Sequence, residues 1–256
     1  MGLFGSGTFL DAEDEAWQVE TWGWFLRTFG HRDRLKRTPL VTPTRAFFPP
    51  TETEGEARAA HIFERVKLLA GMRKWECKLL AQPHRAELKV GELQTLKPVS
   101  WAPAGTFSHD GNQATITYQP ADVADPAKLI TTFIHELAHY LLAARVDEPP
   151  GGEEVHEYTT DLLTVYLGFG LFQANTAFNF SQHQSVMSQG WQYSRQGYLG
   201  ERAFAFALAV FLELREQSND DVKLRLKPHL FADLVKARKS IVRRRLLDGL
   251  MAEPAA

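Results

Sequence analysis

The stretch Asp125-Pro-Ala-Lys-Leu-Ile-Thr-Thr-Phe-Ile-His135-Glu136-Leu-Ala-His139-Tyr-Leu-Leu-Ala-Ala144 constrains this chain more than any other segment. Asp125 is a good N-cap, and Pro126 falls at the first helical position, where its missing N–H costs nothing. The spacing therefore predicts a helix starting at Pro126. Its body is almost wholly apolar, yet it carries two histidines and a glutamate. Four residues of α-helix advance about 400°. His135 and His139 thus lie one above the other on one face, at the separation two imidazoles need to share a zinc ion. Glu136, one step round the helix, stands beside a water bound there.

The rest of the chain supplies ordinary globular material. Its 256 residues are 44% hydrophobic and 23% charged, a composition far from the disordered or disulfide-rich classes. The length fits one domain with a peripheral extension as well as two small ones. Residues 11–29 place Trp17, Trp22, Trp24 and Phe25 among acids at helical spacings, a helix closed by Gly30, with the tryptophans as core anchors. From His31 to Gly55, Pro39, Pro43, Pro49 and Pro50 mark an irregular connection and a boundary near residue 50. A helix over 56–71 follows, then a strand over 75–80. Two further strands are expected, near Glu92 to Val99 and over Ala114 to Tyr118, the latter introduced by Asp110-Gly-Asn. Beyond Pro120 the pattern is helical almost to the end.

Charge and cysteine content narrow the partners. The formal net charge of −2 provides no field toward nucleic acid or a membrane, and argues against both as partners. Basic residues do crowd the end (Lys223, Arg225, Lys227, Lys236, Arg238, Lys239, Arg243, Arg244, Arg245), a run that could touch phosphates or another protein but reads first as a solvated helix face. Cys77 is the only cysteine, so no internal disulfide can form. The first ten residues lack the plan of a secretory signal, and no stretch is apolar enough to span a membrane. A soluble, cytoplasmic protein is the expectation.

Two histidines leave zinc under-coordinated, because a catalytic site usually has three protein ligands plus water. His-Glu-x-x-His with an uncharged interior resembles the signature of the zincin metallopeptidases. The metzincin completion is excluded, since Leu142 and Arg145 stand where glycine and histidine would be needed. After the break at Pro149-Pro-Gly-Gly152, a second helical pattern runs from Glu153 to Leu167 and closes at Gly168. Within it, Glu157 and Asp161 resemble the Glu-x-x-x-Asp of the gluzincins, the thermolysin-like branch. That resemblance implies Glu157 as third ligand and Asp161 as the carboxylate that orients His135. Glu153, Glu154 and His156 remain as substitutes for Glu157.

The resemblance also implies the rest of the scheme. The fold is α+β and zincin-like: a small mixed or antiparallel sheet on the active-site helix, followed by a mainly helical half. Residues 1–50 form an N-terminal helix and connection. Residues 51–256 form the peptidase unit, with a sheet-containing part at 54–122 and a helical part at 123–256. Strand 114–118 would be a sheet edge to which an extended peptide or protein substrate adds. Zinc lowers the pKa of bound water to about 7, and Glu136 takes its proton and returns it to the leaving amine. Tyr193, Arg195, Tyr198 and His183 are candidates for stabilising the oxyanion, with Tyr198 preferred. Two other functions stay open: a zincin-fold regulatory or partner-binding protein with little general proteolysis, and a metal-dependent amidase acting on a small molecule.

Overall fold

The computed structural model describes residues 7–83, 104–111, 113–184 and 199–252. Three helices come first: α1 (Ala12–Phe29), α2 (His31–Arg37) and α3 (Gly55–Leu69). The strands follow, β1 (Cys77–Ala81), β2 (Gly105–His109) and β3 (Ala114–Tyr118). Then come α4 (Pro126–Ala143), α5 (His156–Thr164), α6 (Gly170–Gln184), α7 (Glu201–Leu214), α8 (Asp220–Lys223), α9 (Pro228–Arg244) and α10 (Asp248–Ala252). The class is α+β with a small mixed sheet, as the patterning predicts.

The sheet corrects one expectation. Its order is β1-β3-β2, with β1 parallel and β2 antiparallel to β3. Strand 114–118 is therefore the centre of the sheet, not its edge. Among the described residues the rim beside α4 is β2, whose sequence Gly-Thr-Phe-Ser-His lacks the apolar alternation that betrays a half-buried strand. A turn closed by the Asp110 side chain, which accepts from the Gln113 N–H at 2.8 Å, folds β2 back on β3. β3 does alternate: Ala114, Ile116 and Tyr118 are buried, as one core-facing side requires. The strand expected over 92–99 lies outside the described residues.

Helix α4 starts as its cap dictates, with the Asp125 side chain accepting from the Lys128 N–H at 3.2 Å. Its core-facing side wedges Phe133 between Phe63 of α3 and Tyr118 of β3, with ring centroids 5.1 and 5.8 Å apart. Packing on two sides holds the helix against lateral movement, and so fixes whatever its other face presents.

The N-terminal helix belongs to the same apolar cluster. Trp22 is fully buried against Tyr166 and Phe211, at 5.9 and 6.4 Å, a core anchor as expected. The connection after Gly30 is not irregular at once. It opens with the seven residues of α2 before losing regular structure. At the other end, α9 exposes Lys236 and Lys239 as a solvated face would, while three of its arginines make contacts with other parts of the fold. Arg238 pairs with Glu213 at 2.6 Å, Arg243 donates to the Gly7 carbonyl at 2.8 Å, and Arg244 pairs with buried Glu15. The last two contacts hold the N-terminal segment to α9, and the first ties α9 to α7. Among the described residues, no helix is long and apolar enough to cross a membrane.

Gly168 breaks the second helical pattern where expected, with φ of +94° inside a wide turn, Val165–Phe169, between α5 and α6. Its carbonyl accepts from the Val41 N–H at 2.9 Å. A Cβ at this position would stand 2.0 Å from the Pro39 carbonyl oxygen. Gly168→Ala is therefore expected to destabilise the fold by about 2 kcal/mol or more, lowering the thermal midpoint by about 4–8 °C. Gly249→Ala, in α10 with open space around it, should leave the midpoint unchanged or raise it. Equal midpoints for the two variants would contradict this account.

Candidate metal centre

Helices α4 and α5 bring three side chains to one point. His135 and His139 sit one turn apart on α4, their rings nearly perpendicular with centroids 4.7 Å apart. Their Nε2 atoms approach to 3.0 Å. Glu157, in the first turn of α5, places Oε2 at 3.3 Å from His135 Nε2 and 3.4 Å from His139 Nε2. Among the described residues this is the group of three side chains that could hold a metal ion. The expected substitutes for Glu157 do not join it.

The hydrogen bonds around the two rings determine which nitrogens face inward. His135 Nδ1 lies 3.0 Å from Asp161 Oδ1, and a carboxylate can only accept, so Nδ1 carries the proton and Nε2 presents a lone pair. Asp161 is itself 1% exposed and held from behind by the Leu199 N–H, which donates to Oδ2 at 2.8 Å. His139 Nδ1 lies 3.3 Å from Thr160 Oγ1, whose own proton goes to the His156 carbonyl at 2.9 Å. The hydroxyl therefore accepts from His139, again turning a bare Nε2 inward. His156 stacks on His139 at 5.2 Å, with its Nε2 3.1 Å from the same Nδ1. His156 thus acts on the orientation of a ligand, a role that reading the sequence missed.

Two lone pairs and a carboxylate oxygen within 3.4 Å of one another repel unless a positive charge lies between them. Zinc–nitrogen bonds of about 2.0–2.1 Å in tetrahedral geometry place neighbouring ligand atoms about 3.3 Å apart. The donor set and its spacing therefore fit a divalent cation. Without one, a proton does the work. Burial alone would lower the His135 pKa, but its bonds to Asp161 and Glu157 and the nearby Glu136 charge raise it to about 10. The same contacts, with His135 and then His139, hold the Glu157 carboxyl well below the ordinary carboxylate range. Burial pushes Asp161 up, against the pull of His135 and the Leu199 N–H.

Glu136 stands beside this cluster without joining it. Burial raises its pKa, opposed by the charges of His135 and His139 and by the backbone N–H of Phe107 in β2. A carboxylate with a raised pKa and little water around it is a competent proton acceptor. Of the oxyanion candidates, Tyr193, Arg195 and Tyr198 lie outside the described residues, as does the side chain of His183.

The N-terminal helix braces the start of α5, which carries Glu157, from outside. Trp17 Nε1 donates to the Pro150 carbonyl at 3.0 Å, and its ring meets Tyr158 edge-on at 6.4 Å. The connection from α4 to α5 is pinned by a residue more than 130 positions away in the chain.

Because the His135 proton must leave when a cation binds, zinc affinity is expected to rise about tenfold per pH unit between pH 7 and 9. Calorimetry in buffers of different ionisation enthalpy should register the release of about one proton. The same raised pKa gives the metal-free protein stability that is complete below about pH 6.5 and is lost as pH climbs toward 10. Asp161→Asn should weaken zinc binding by about 10–100-fold. Affinity independent of both pH and Asp161 would contradict the arrangement. Comparison with protein-family models, curated proteins and solved structures finds no match to this chain.

Proposed function

We propose that this protein is a zinc-dependent peptidase of the gluzincin type, with His135, His139 and Glu157 as metal ligands and Glu136 as general base. The observation that carries the reading is the meeting of His135, His139 and Glu157 at one point with buried Glu136 beside it. A structural metal site needs no base, and it is usually closed by a fourth protein ligand. When bound, zinc supplies Lewis acidity to the scissile carbonyl and to the attacking water.

The chain's own residues do the remainder. Glu136 accepts a proton from the attacking water and later delivers it to the leaving amine nitrogen, which is why a raised pKa suits it. Asp161 holds His135 in the tautomer that turns Nε2 inward. His156 and Thr160 do the same for His139. β2 offers the substrate a backbone: Gln119 N–H donates to the Ala104 carbonyl and Asp110 N–H to the Gln113 carbonyl. In antiparallel pairing, these bonds turn the N–H groups of Gly105, Phe107 and His109 outward, where that of Phe107 is taken up by Glu136 and those of Gly105 and His109 face the rim. No described strand pairs with that rim. An extended polypeptide adding there would run past Glu136, which favours peptides over small amides as substrate.

Metal analysis combined with cleavage of a denatured protein mixture tests the proposal. Native protein should retain about one zinc and cleave. Glu136→Gln should retain the zinc and lose at least about 100-fold in rate. Zinc present with no cleavage by either protein would instead favour a partner-binding role. Absence of bound zinc, with none gained on titration, would remove the site altogether.

A further inference from the structure

Past His139, a cleft of about 420 Å³ opens between the C-terminal ends of α1, α3 and α4 and the start of α2. Its buried walls are apolar, formed by Phe29, Ala70, Met72 and Leu141. Its more exposed walls are basic. Arg27, His31, Arg34 and Arg145 line it, and among the described residues no carboxylate does. Gly30 and His31, with φ of +115° and +55°, turn the chain between α1 and α2 and so bring His31 and Arg34 back to the end of α1. Helix C-termini attract cations, and two of the arginines do serve them. Arg34 Nη1 donates to the Phe29 carbonyl at 2.6 Å, and Arg145 Nε to the Leu141 carbonyl at 3.4 Å. That service uses one N–H of the five on each guanidinium. Neither group pairs with a carboxylate among the described residues. Arg145 also lies over the Phe29 ring, 5.1 Å from its centroid, a contact that holds it at the cleft wall.

We infer that this cleft binds a small organic phosphate, a phosphate monoester carrying an apolar group. The inference does not depend on the peptidase reading. Charge selects the phosphate. Each helix C-terminus is worth about half a negative charge, so the three that meet here offset only part of the three arginines lining the cleft. The remaining positive charge, held in one concave place, is relieved by an anion. A phosphate monoester brings about −1.5 to −2 charge near pH 7 and three acceptor oxygens. The spare N–H groups of Arg34 and Arg145 can meet those oxygens in forked pairs, for which guanidinium geometry is suited. A carboxylate carries about half that charge. Size selects the organic part. A volume of about 420 Å³ falls within the roughly 300–1,000 Å³ of sites for small organic molecules, so a bare phosphate would leave much of the cleft unfilled. Phe29, Met72 and Leu141, with Trp75 beside them, offer the apolar surface for the remainder.

Titration calorimetry on the full-length protein, with phenyl phosphate, inorganic phosphate and benzoate as probes, tests the site. Phenyl phosphate should bind one to one, at least about tenfold more tightly than either of the others. Arg34→Gln and Arg145→Gln should each weaken it at least about tenfold. Arg73→Gln, which removes an exposed charge outside the cleft lining, should change it by less than about twofold. Phenylglyoxal labelling of the native protein, read by peptide mass spectrometry, gives an answer that needs no variant to fold. Phenyl phosphate should slow the labelling of Arg34 and Arg145 and leave that of exposed Arg45 unchanged. Equal affinity for all three anions, or equal labelling with and without the probe, overturns the inference. Binding that survives both arginine substitutions and disappears when zinc is removed places the anion on the metal and overturns it as well. No binding by the native protein leaves the arginines as caps of helix ends alone, and overturns it without touching the metal centre.

Discussion

Two imidazole lone pairs and a carboxylate oxygen forced within van der Waals range of one another form an arrangement that only a positive charge can hold together. Much of the surrounding structure exists to keep it. The Nδ1 atoms of both rings are hydrogen-bonded on their outer side, to Asp161 for one and to Thr160 and His156 for the other, so neither ring can relieve the crowding by flipping. Asp161 in turn is buried and anchored by the Leu199 backbone. The chain of restraints runs outward from the cluster, each member fixed by one behind it. Such a series is what a metal site requires if its ligands are to keep their geometry without the ion's help.

The scaffold meets this demand by making α4 nearly immovable. An apolar helix with Phe133 locked between two aromatic rings cannot rotate without opening the core, and rotation is the motion that would carry His135 and His139 away from Glu157. Glu157 needs a different restraint because it reaches the cluster across a loop. Trp17, on the first helix, supplies it by holding Pro150 and Tyr158. Glu15 on the same helix is tied to Arg244, so the two ends of the chain jointly brace the element that carries the third ligand.

Placing β2 at the rim has a chemical consequence. Its backbone lies close enough to α4 that Phe107 N–H acts on the Glu136 carboxylate, and Gly105 leaves no side chain between strand and helix. Glu136 and the β2 backbone are therefore held together, and any movement of the strand would shift the Glu136 pKa.

The helical part of this was legible in the chain alone. The cap at Asp125-Pro126, the phase of His135 and His139, the place of Glu136 and the break at Gly168 all depend on local geometry, which a helix repeats every few residues whatever surrounds it. Selection of Glu157 over Glu153, Glu154 and His156 was open to a local argument only through a resemblance. Proximity across a loop depends on how α5 is braced, and the brace is Trp17. The edge strand stays hidden because a rim strand need not alternate; the resemblance puts β3 at the edge, and strand order leaves no trace in a single strand's pattern that could correct it. The partnership of His156 with His139 and the cleft that gathers Arg34 and Arg145 were decided by tertiary structure alone. They join residues from different helices, and only packing determines which side chains meet.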